Sequence, residues 1–264
     1  MEFNKMNKIS SMEEIRKREL NILKYVHYLC EKHNLRYIMA GGTLLGAIRH
    51  KGYIPWDDDI DLLMPREDYE RLIRIINNNK NKNFRFLTCT NEKDYYLPFG
   101  RVTDTRTYLE FEGEISCENM GIFVDIFPID GLTDNEKFQK KEIKIYENFR
   151  KQIDFVRCTS SATNVMKIYA GLLCRISNFI AKRTKYTHSE TVACKVVGLG
   201  EREIIDKELV ENRIKVEFEG ELFYAPAGYD TYLTNLYKDY MKLPPKNQQR
   251  RGHVFQGWYK KKEG

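Results

Sequence analysis

Four closely spaced aspartates in an otherwise apolar segment are the feature that most constrains this chain. They are Asp57, Asp58, Asp59 and Asp61. Apolar residues flank them on both sides, at positions 54–56 and 62–64. Carboxylates in such surroundings are costly unless a cation or hydrogen-bond donors compensate their charge. The fold therefore has to bring positive charge or a metal ion to this segment.

The strand predicted over residues 60–64 places two of these aspartates on one face. Side chains alternate along a strand, so Asp59 and Asp61 point the same way. Two adjacent carboxylates repel and raise each other's pKa unless a cation lies between them. Mg²⁺ or Mn²⁺ prefers such oxygen ligands and keeps positions open for phosphates. We predict Asp57, which is in phase, as a further metal ligand, and Asp58 as a solvated or loop-capping residue.

A solvated turn and a calcium loop both fit the acidic run less well than a metal pair. A solvated acidic turn does not account for the apolar flanks. An EF-hand calcium loop requires glycine at its sixth position and glutamate at its twelfth. This chain has Leu62 and Asp68 at those positions, so the calcium loop is excluded.

Asp125 is the one polar residue of a predicted strand over residues 123–127. An isolated carboxylate buried there would cost several kcal/mol without a cation or strong donors. We predict Asp125 as a third metal carboxylate, supplied by a neighbouring strand. The alternative is a structural ion pair with an arginine.

A glycine pair follows the strand predicted over residues 37–40. Glycine lets backbone N–H groups approach an anion, and the N-terminus of the following helix adds its dipole. Positive side chains then precede the acidic run, where they could counter phosphate oxygens. The predicted phosphate-binding residues of this segment are Gly41, Gly42, Thr43, Arg49 and His50.

Strand and helix patterns alternate in the first half of the chain, and helical patterns dominate the second. Ser11 and Glu14 form a capping box before a helix that runs to about residue 32. The other predicted elements are strands at 84–88 and 99–103, helices over 135–185, a hairpin of 214–218 with 222–225, and a helix over 229–241. We expect the tail, 246–264, to be loosely held.

These patterns predict an α+β fold, with a small mixed β-sheet flanked by helices and a helical and hairpin C-terminal part. We place a soft boundary at residue 133, which gives a catalytic core over 1–133 and a second part over 134–264. The second part is expected to pack on the core.

Charge and apolar content exclude several classes of protein. The net charge of +6, from 44 basic and 38 acidic residues, is too weak to imply nucleic-acid binding. No apolar stretch approaches the length of a membrane span, and no signal peptide is evident, so we expect a cytoplasmic protein. The six cysteines form no CxxC and are predicted to be buried and reduced. The basic stretch 167–185 is predicted as a helix whose core-facing side carries Ile168, Leu172, Leu173, Ile176 and Ile180. Contact of this helix with the inner face of a membrane stays the second interpretation.

The segment 41–72, GGTLLGAIRHKGYIPWDDDIDLLMPREDYERL, resembles the signature of the LicD family, relatives of fukutin and fukutin-related protein. Residues 98–102, 124–128 and 229–245 are similar to later blocks of that family. The resemblance spans roughly 15–130 and 215–253, and the helical middle matches poorly. Two departures are Arg101, where lysine is expected in many relatives, and Lys238, where glycine is usual.

This resemblance implies a nucleotidyltransferase-like core, in which Asp59, Asp61 and Asp125 are the catalytic carboxylates. It implies Mg²⁺-dependent transfer of a phospho-alcohol from a CDP-alcohol. Phosphocholine, from CDP-choline, is the favoured group. The acceptor would be a hydroxyl of a cell-surface glycan, such as lipopolysaccharide, teichoic acid or capsule, or of its lipid-linked precursor, and CMP would be released. We further expect Arg49 and Arg101 to contact phosphate oxygens.

Three other functions stay open from the sequence. A nucleotide-sugar glycosyltransferase would use Asp59-Ile60-Asp61 as its metal site, but it would not explain the glycine pair or Asp125. A nucleotidyltransferase acting on a small molecule would release pyrophosphate. A metal-stiffened binding module would have no turnover. The nucleotide product distinguishes these functions.

Overall fold

Short strands and longer helices alternate in the first half of the chain, as the sequence predicts. A computed structural model describes residues 7–260. In that part of the chain the helices are α1 Met12–His33, α2 Gly41–His50, α3 Arg66–Asn77, α4 Glu136–Arg157, α5 Asn164–Ala181, α6 Lys207–Glu211 and α7 Tyr229–Tyr237. The strands are β1 Asn7–Lys8, β2 Ile38–Met39, β3 Asp61–Pro65, β4 Phe84–Leu87, β5 Gly100–Asp104, β6 Thr107–Phe111, β7 Phe123–Gly131, β8 Thr191–Ala193, β9 Ile204–Asp206, β10 Arg213–Phe218, β11 Glu221–Pro226 and β12 Phe255–Tyr259.

The main sheet is mixed, which confirms the predicted α+β class. Its strands lie in the order β2-β3-β7-β5-β4, with β8 and β9 attached beyond β7. Only β3 and β7 are parallel neighbours, and the remaining pairs of this sheet are antiparallel. Since β7 pairs with strands on both of its long edges, its residues at 123–126 are fully covered. The centre of the fold is therefore the strand that carries Asp125.

Helix α1 begins as the capping box predicts. The Ser11 hydroxyl accepts a hydrogen bond from the backbone N–H of Glu14, which satisfies one of the free donors of the first turn. Ile22, Leu23 and Val26 recur at helical spacing and are buried against the sheet. The helix ends at His33, and Asn34 adopts the left-handed conformation typical of a C-terminal cap.

The predicted hairpin is confirmed and packs on the first half of the chain. Glu219 and Gly220 connect β10 to β11 with positive φ angles of 52° and 77°, as a tight hairpin turn requires. The Glu219 carboxylate accepts a hydrogen bond from the Tyr53 backbone N–H at 3.0 Å. One hydrophobic cluster contains side chains from both sides of residue 133. The predicted boundary lies between β7 and α4, and the division into two parts stays a prediction.

The expectation of a loosely held tail is wrong for residues 253–259. Strand β12 pairs with β6 on one side and with β1 on the other, which forms a three-stranded antiparallel sheet. Gly257 faces Leu109 and Ile9, with room for no larger residue without movement. Strand β6 was not predicted, and its partner lies about 150 positions further along the chain, so local patterns could not reveal the pairing.

Helix α7 is shorter than predicted, because it ends at Tyr237 rather than at residue 241. Lys238 follows with a φ of 62°, a region that glycine enters without strain. This conformation explains why the resemblance leads us to expect glycine at the position. With a ψ of −113°, Lys238 lies outside the left-handed helical region, and lysine there costs about 1–3 kcal/mol.

Helix α5 differs from the prediction in which side chains it buries. Leu173 packs into the core, and Ile176 and Ile180 are partly buried, as predicted. Ile168 and Leu172 were assigned to the same face, but they are 72% and 53% exposed. Successive residues of a helix differ by about 100° in direction, so residues 172 and 173 lie on different sides of the helix.

No helix within residues 7–260 is long and apolar enough to cross a bilayer.

Candidate active site

Three neighbouring strands place three of the predicted site residues in one row across the sheet. Asp61 of β3 lies directly beside Asp125 of β7, and Asp125 lies beside Arg101 of β5. The Asp125 N–H donates a hydrogen bond to the Ile60 carbonyl at 2.9 Å, which fixes the parallel register at this point. The structure therefore brings together two predicted catalytic carboxylates that are 64 positions apart in the chain.

Asp125 forms a buried ion pair with Arg101. The Arg101 Nε donates to Oδ1 at 2.7 Å, and Nη2 lies 3.4 Å from Oδ2. The guanidinium also lies over the Phe123 ring, 3.8 Å from its centre. The sequence analysis gave such an ion pair with an arginine as the alternative role of Asp125. Of the two carboxylate oxygens, Oδ2 is the more weakly hydrogen bonded. The roles of Asp125 as metal ligand and of Arg101 as phosphate contact stay predictions.

The glycine pair opens α2 directly against the acidic run. Gly41 has a φ of +50°, and a Cβ added at Gly42 would lie 2.4 Å from Oδ2 of Asp57. The Thr43 hydroxyl accepts a hydrogen bond from the Asp61 N–H at 2.8 Å. Small residues are required here because the carboxylates approach the first turn of α2, whose N-terminus favours negative charge. The Thr43 hydroxyl thus fixes the backbone at Asp61. Its contact with a phosphate stays a prediction.

Burial and the negative charge of neighbouring aspartates raise the pKa values of three aspartates in the acidic run. Burial, together with the charge of Asp58, raises the pKa of Asp57. Burial and the neighbouring Asp57 raise the pKa of Asp59 to about 7. Burial raises the pKa of Asp61 well above its usual range, with Asp59 and Asp125 adding to the effect. Within residues 7–260, no lysine or arginine forms an ion pair with the Asp57, Asp59 or Asp61 carboxylate.

His253, which the sequence analysis missed, lies against the acidic run. Its backbone N–H donates to Oδ2 of Asp58 at 3.1 Å, and its Nδ1 lies 3.4 Å from Oδ1 of Asp58 and 3.7 Å from Oδ2 of Asp59. Burial opposes protonation of the ring, but the hydrogen bond with Asp58 and the charge of Asp59 raise the pKa of His253. Asp58 is 1% exposed, so it is not solvated; it caps the loop before β12.

The donor set fits a divalent metal ion. Ligand atoms of Asp58, Asp59 and His253 all lie within 4.8 Å of one another. Asp57 and Asp61 carry further carboxylate oxygens in the adjoining loop and strand, and their role as metal ligands stays a prediction. Carboxylate oxygens suit Mg²⁺ and Mn²⁺, and a histidine nitrogen suits Mn²⁺.

An open cavity of about 580 Å³ reaches Asp57 of the acidic run. Gly42, Arg49 and Asp57 contribute to its wall. The Arg49 guanidinium is held there by hydrogen bonds to the Tyr240 carbonyl at 2.7 Å and to the His50 ring at 2.9 Å. Burial, with Arg49 close by, lowers the pKa of His50, so this ring is the neutral acceptor of that bond. The cavity volume lies in the range typical of small-molecule sites.

Comparison with known proteins decides the family. Residues 34–161 match the family described as LicD/FKTN/FKRP, nucleotidyltransferase domain. The chain is 30% identical to the lipopolysaccharide cholinephosphotransferase LicD of Haemophilus influenzae over 249 residues, which cover 89% of this chain and 93% of that protein. This chain belongs to the LicD family. The resemblance identified from the sequence is thereby confirmed.

Shorter matches connect this LicD-family chain to further proteins. It is 31% identical over 123 residues to an uncharacterized protein of Rickettsia typhi, covering 47% of this chain and 38% of that protein. It is 49% identical over 45 residues to human ribitol 5-phosphate transferase FKRP, covering 17% of this chain and 9% of that protein. The named relatives transfer different phospho-alcohols, so the family to which this chain belongs is one of phosphotransferases.

The structure gathers most of the residues predicted from the LicD resemblance at one place. The carboxylates and the glycine pair surround the start of α2, and Arg49 lies on the cavity wall. Arg101 is instead buried behind Asp125. Two cavity residues were missed as site residues, Tyr237 and Tyr240, although both lie in the family block at 229–245.

Proposed function

We propose that this LicD-family chain transfers a phospho-alcohol from a CDP-alcohol to a hydroxyl of a cell-surface glycan or its lipid-linked precursor. Phosphocholine is the first candidate for the transferred group. CMP is the second product. The observation that carries the proposal is the cluster of Asp57, Asp59 and Asp61, which have raised pKa values and form no ion pair with a lysine or arginine within residues 7–260. Asp57 of this cluster lines a cavity of about 580 Å³. Such a site suits a donor that enters with a divalent cation on its phosphates.

In this proposal the aspartates bind the metal ion, and Arg49 and the N-terminus of α2 bind the phosphates. Asp57, Asp59 and Asp61 would hold Mg²⁺ or Mn²⁺, which would neutralise the diphosphate and stabilise the charge that develops on the leaving CMP. Arg49 lies across the cavity with its guanidinium oriented by the Tyr240 carbonyl. It contacts phosphate oxygens there, since guanidinium groups bind them in charge-assisted pairs. The N-terminus of α2 adds its positive dipole end.

Asp125 receives the proton of the acceptor hydroxyl. Arg101 binds Oδ1 by the short hydrogen bond of 2.7 Å and so fixes the carboxylate plane. Oδ2, at 3.4 Å from the guanidinium, is the oxygen that keeps capacity to accept a proton. The attacking oxygen forms its bond to phosphorus as the bond from phosphorus to the CMP oxygen breaks.

Aromatic rings support choline as the donor alcohol. Trp56, Tyr237 and Tyr240 line the same cavity as Asp57. Ring faces attract a quaternary ammonium group, and a nearby carboxylate adds to that attraction. The relative that matches along nearly its whole length is named a cholinephosphotransferase. Phosphocholine is therefore the first donor group to test.

The location and the type of core are also part of the proposal. All six cysteines are free; five are buried as predicted, but Cys158 is exposed, contrary to the prediction. Free thiols support a reducing compartment such as the cytoplasm. The glycine pair at the start of α2 lies close to Asp57 and to Asp61 of β3, which is beside Asp125 of β7, and this arrangement supports a nucleotidyltransferase-like core.

The released nucleotide tests the reaction. Purified protein with Mg²⁺ is incubated with CDP-choline, CDP-glycerol, CDP-ribitol or a nucleotide sugar, each with candidate glycans. CMP release from a CDP-alcohol, abolished by EDTA and by Asp59→Asn, is the expected result. Asp134→Asn serves as the matched control, because Asp134 is exposed and lies outside the site. A nucleoside diphosphate would indicate a glycosyltransferase, and pyrophosphate a nucleotidyltransferase. Either product, without CMP, refutes the proposal.

A further inference from the structure

Helix α5 presents an apolar stripe to the outside of the protein. Val165, Ile168, Leu172 and Phe179 are each more than half exposed, at 76%, 72%, 53% and 64%. Their spacings of three, four and seven residues place them on one side of the helix. The opposite side, with Leu173 and the small residues around it, faces the core. A soluble helix with this pattern normally keeps its apolar stripe inward.

Helix α4 extends this surface. The Tyr169 hydroxyl of α5 hydrogen bonds to the Gln152 side chain of α4, so these two residues mark where the helices meet. Phe155 is one turn further along α4 on the same side as Gln152 and is 69% exposed. The α4–α5 face is defined by Phe155, Val165, Ile168, Tyr169, Leu172 and Phe179. Contiguous exposed apolar surface of this kind marks an interaction site.

The charge of the same segment is strongly one-sided. Residues 155–189 contain six basic residues and no acidic residue, so this segment alone carries +6, the net charge of the whole chain. Its basic residues are Arg157, Lys167, Arg175, Lys182, Arg183 and Lys185. Arg157 and Lys182 pair with acidic side chains elsewhere in the chain. The others form no ion pair within residues 7–260.

Two of these basic side chains without an ion pair lie next to the apolar stripe. Arg175 is exposed and lies three residues after Leu172 and four before Phe179, so it shares their side of the helix. The Arg183 guanidinium lies 5.2 Å from the centre of the Phe179 ring. Long basic side chains beside apolar ones match the boundary between acyl chains and negatively charged lipid head groups.

We propose that the α4–α5 face binds the surface of an anionic membrane, with α5 lying in the plane of the interface. The apolar stripe enters the boundary of the acyl chains while Arg175 and Arg183 remain at the phosphates. A protein partner is the less suitable occupant, because the cations would require an acidic counterpart and the stripe forms a ridge on one helix. This binding does not depend on the reaction that the site catalyses.

Flotation of the full chain with lipid vesicles tests the apolar part of the proposal. We expect binding to vesicles with about 30% phosphatidylglycerol and little binding to pure phosphatidylcholine. Leu172→Glu should lower the partition coefficient by about tenfold or more. Leu222→Glu is the matched control, since Leu222 is 56% exposed on the hairpin, against 53% for Leu172. It should leave binding unchanged.

The charged part is tested by removing two cations at a time. Arg175→Gln with Arg183→Gln should weaken binding by about 25-fold, which corresponds to about fivefold for each basic residue near an anionic surface. Lys17→Gln with Lys80→Gln removes the same charge from exposed positions on other helices and loops, and should weaken binding far less. Added salt should weaken the binding of wild type.

Three results would each overturn the proposal. The first is absence of wild-type binding to anionic vesicles. The second is binding that Leu172→Glu and Leu222→Glu change equally, which would place the contact elsewhere. The third is self-association of the wild type that Leu172→Glu abolishes in sedimentation velocity, with vesicle binding unaffected, which would make the face a protein interface. Circular dichroism of each variant confirms that it is folded.

Discussion

Replacing Asp59 by asparagine should stabilise the metal-free protein while it abolishes function. The Asp59 carboxyl lies beside Asp57 in a buried position, and its pKa is raised from 3.8 to about 7. A raised carboxyl pKa means that the folded chain binds this proton more tightly than the unfolded chain does. Stability is therefore lost as the pH rises from about 4 to about 7, and it stays low above pH 7.

The size of the effect follows from the shift. A difference of about 3 pKa units corresponds to about 4 kcal/mol, at 1.36 kcal/mol for each unit. The side chain is 18% exposed and shares its titration with its neighbours, both of which reduce the net value. Asp59→Asn removes the charge, so its free energy of unfolding at pH 8 should exceed that of wild type by about 2–4 kcal/mol.

Urea unfolding followed by circular dichroism measures this difference. Wild type and Asp59→Asn are compared in EDTA at pH 5, 6, 7 and 8, with Asp134→Asn as the control outside the site. The gain should shrink toward pH 4, where wild type is protonated. With excess Mg²⁺, wild type should gain stability by mass action, and Asp59→Asn should gain less. CMP release by the variant should be negligible.

Two outcomes would contradict charge repulsion and metal binding at Asp59. If Asp59→Asn in EDTA is no more stable than wild type at pH 8, the carboxylates do not repel one another as the structure indicates. If wild type gains no stability from Mg²⁺ or Mn²⁺, the acidic run does not bind a divalent cation. A stabilised but fully active variant would separate the charge cluster from the chemistry.

Three other substitutions probe separate parts of the site. Gly42→Ala places a Cβ 2.4 Å from Asp57 and should lower kcat at least about tenfold; an unchanged kcat would show that Asp57 can move freely. Arg101→Met leaves Asp125 unpaired and should cost about 3–5 kcal/mol in urea unfolding, and replacing both residues should restore most of it; equal losses in the single and double variants would contradict this. His253→Ala should weaken Mn²⁺ binding about 10–100-fold by calorimetry, and unaltered affinity would remove His253 from the site.

The parts of the site that depend on local pattern could be predicted. Asp61 is the first residue of a real strand, so its phase relative to Leu62 follows from alternation. Asp125 stands alone in an apolar strand, and that contrast is visible in the sequence. The helix that opens at Gly41 follows from the glycine pair after a short strand. For these residues the neighbours that decide the geometry are close in the chain.

The parts that depend on distant neighbours could not be predicted. Asp59 precedes β3, in irregular structure, so strand alternation does not fix its direction. Asp58 was expected to be solvated or to cap a loop, and only the second holds, because His253 covers it from 195 positions away. Arg101 was expected to contact phosphate oxygens, but the antiparallel pairing of β5 with β7 places it against Asp125. These outcomes follow from sheet order, which local periodicity does not encode.

The contact of Asp58 with His253 also determines when the protein can become competent during synthesis. A ribosome adds about 5–20 residues each second, so roughly 10–40 s separate the emergence of these two residues. Throughout that interval the acidic run lacks its cover, and β6 lacks its partner β12. A nascent chain stalled before residue 250 would thus hold every aspartate of the site and still be unfinished. Activity should appear late in translation, as one step with the pairing of β12.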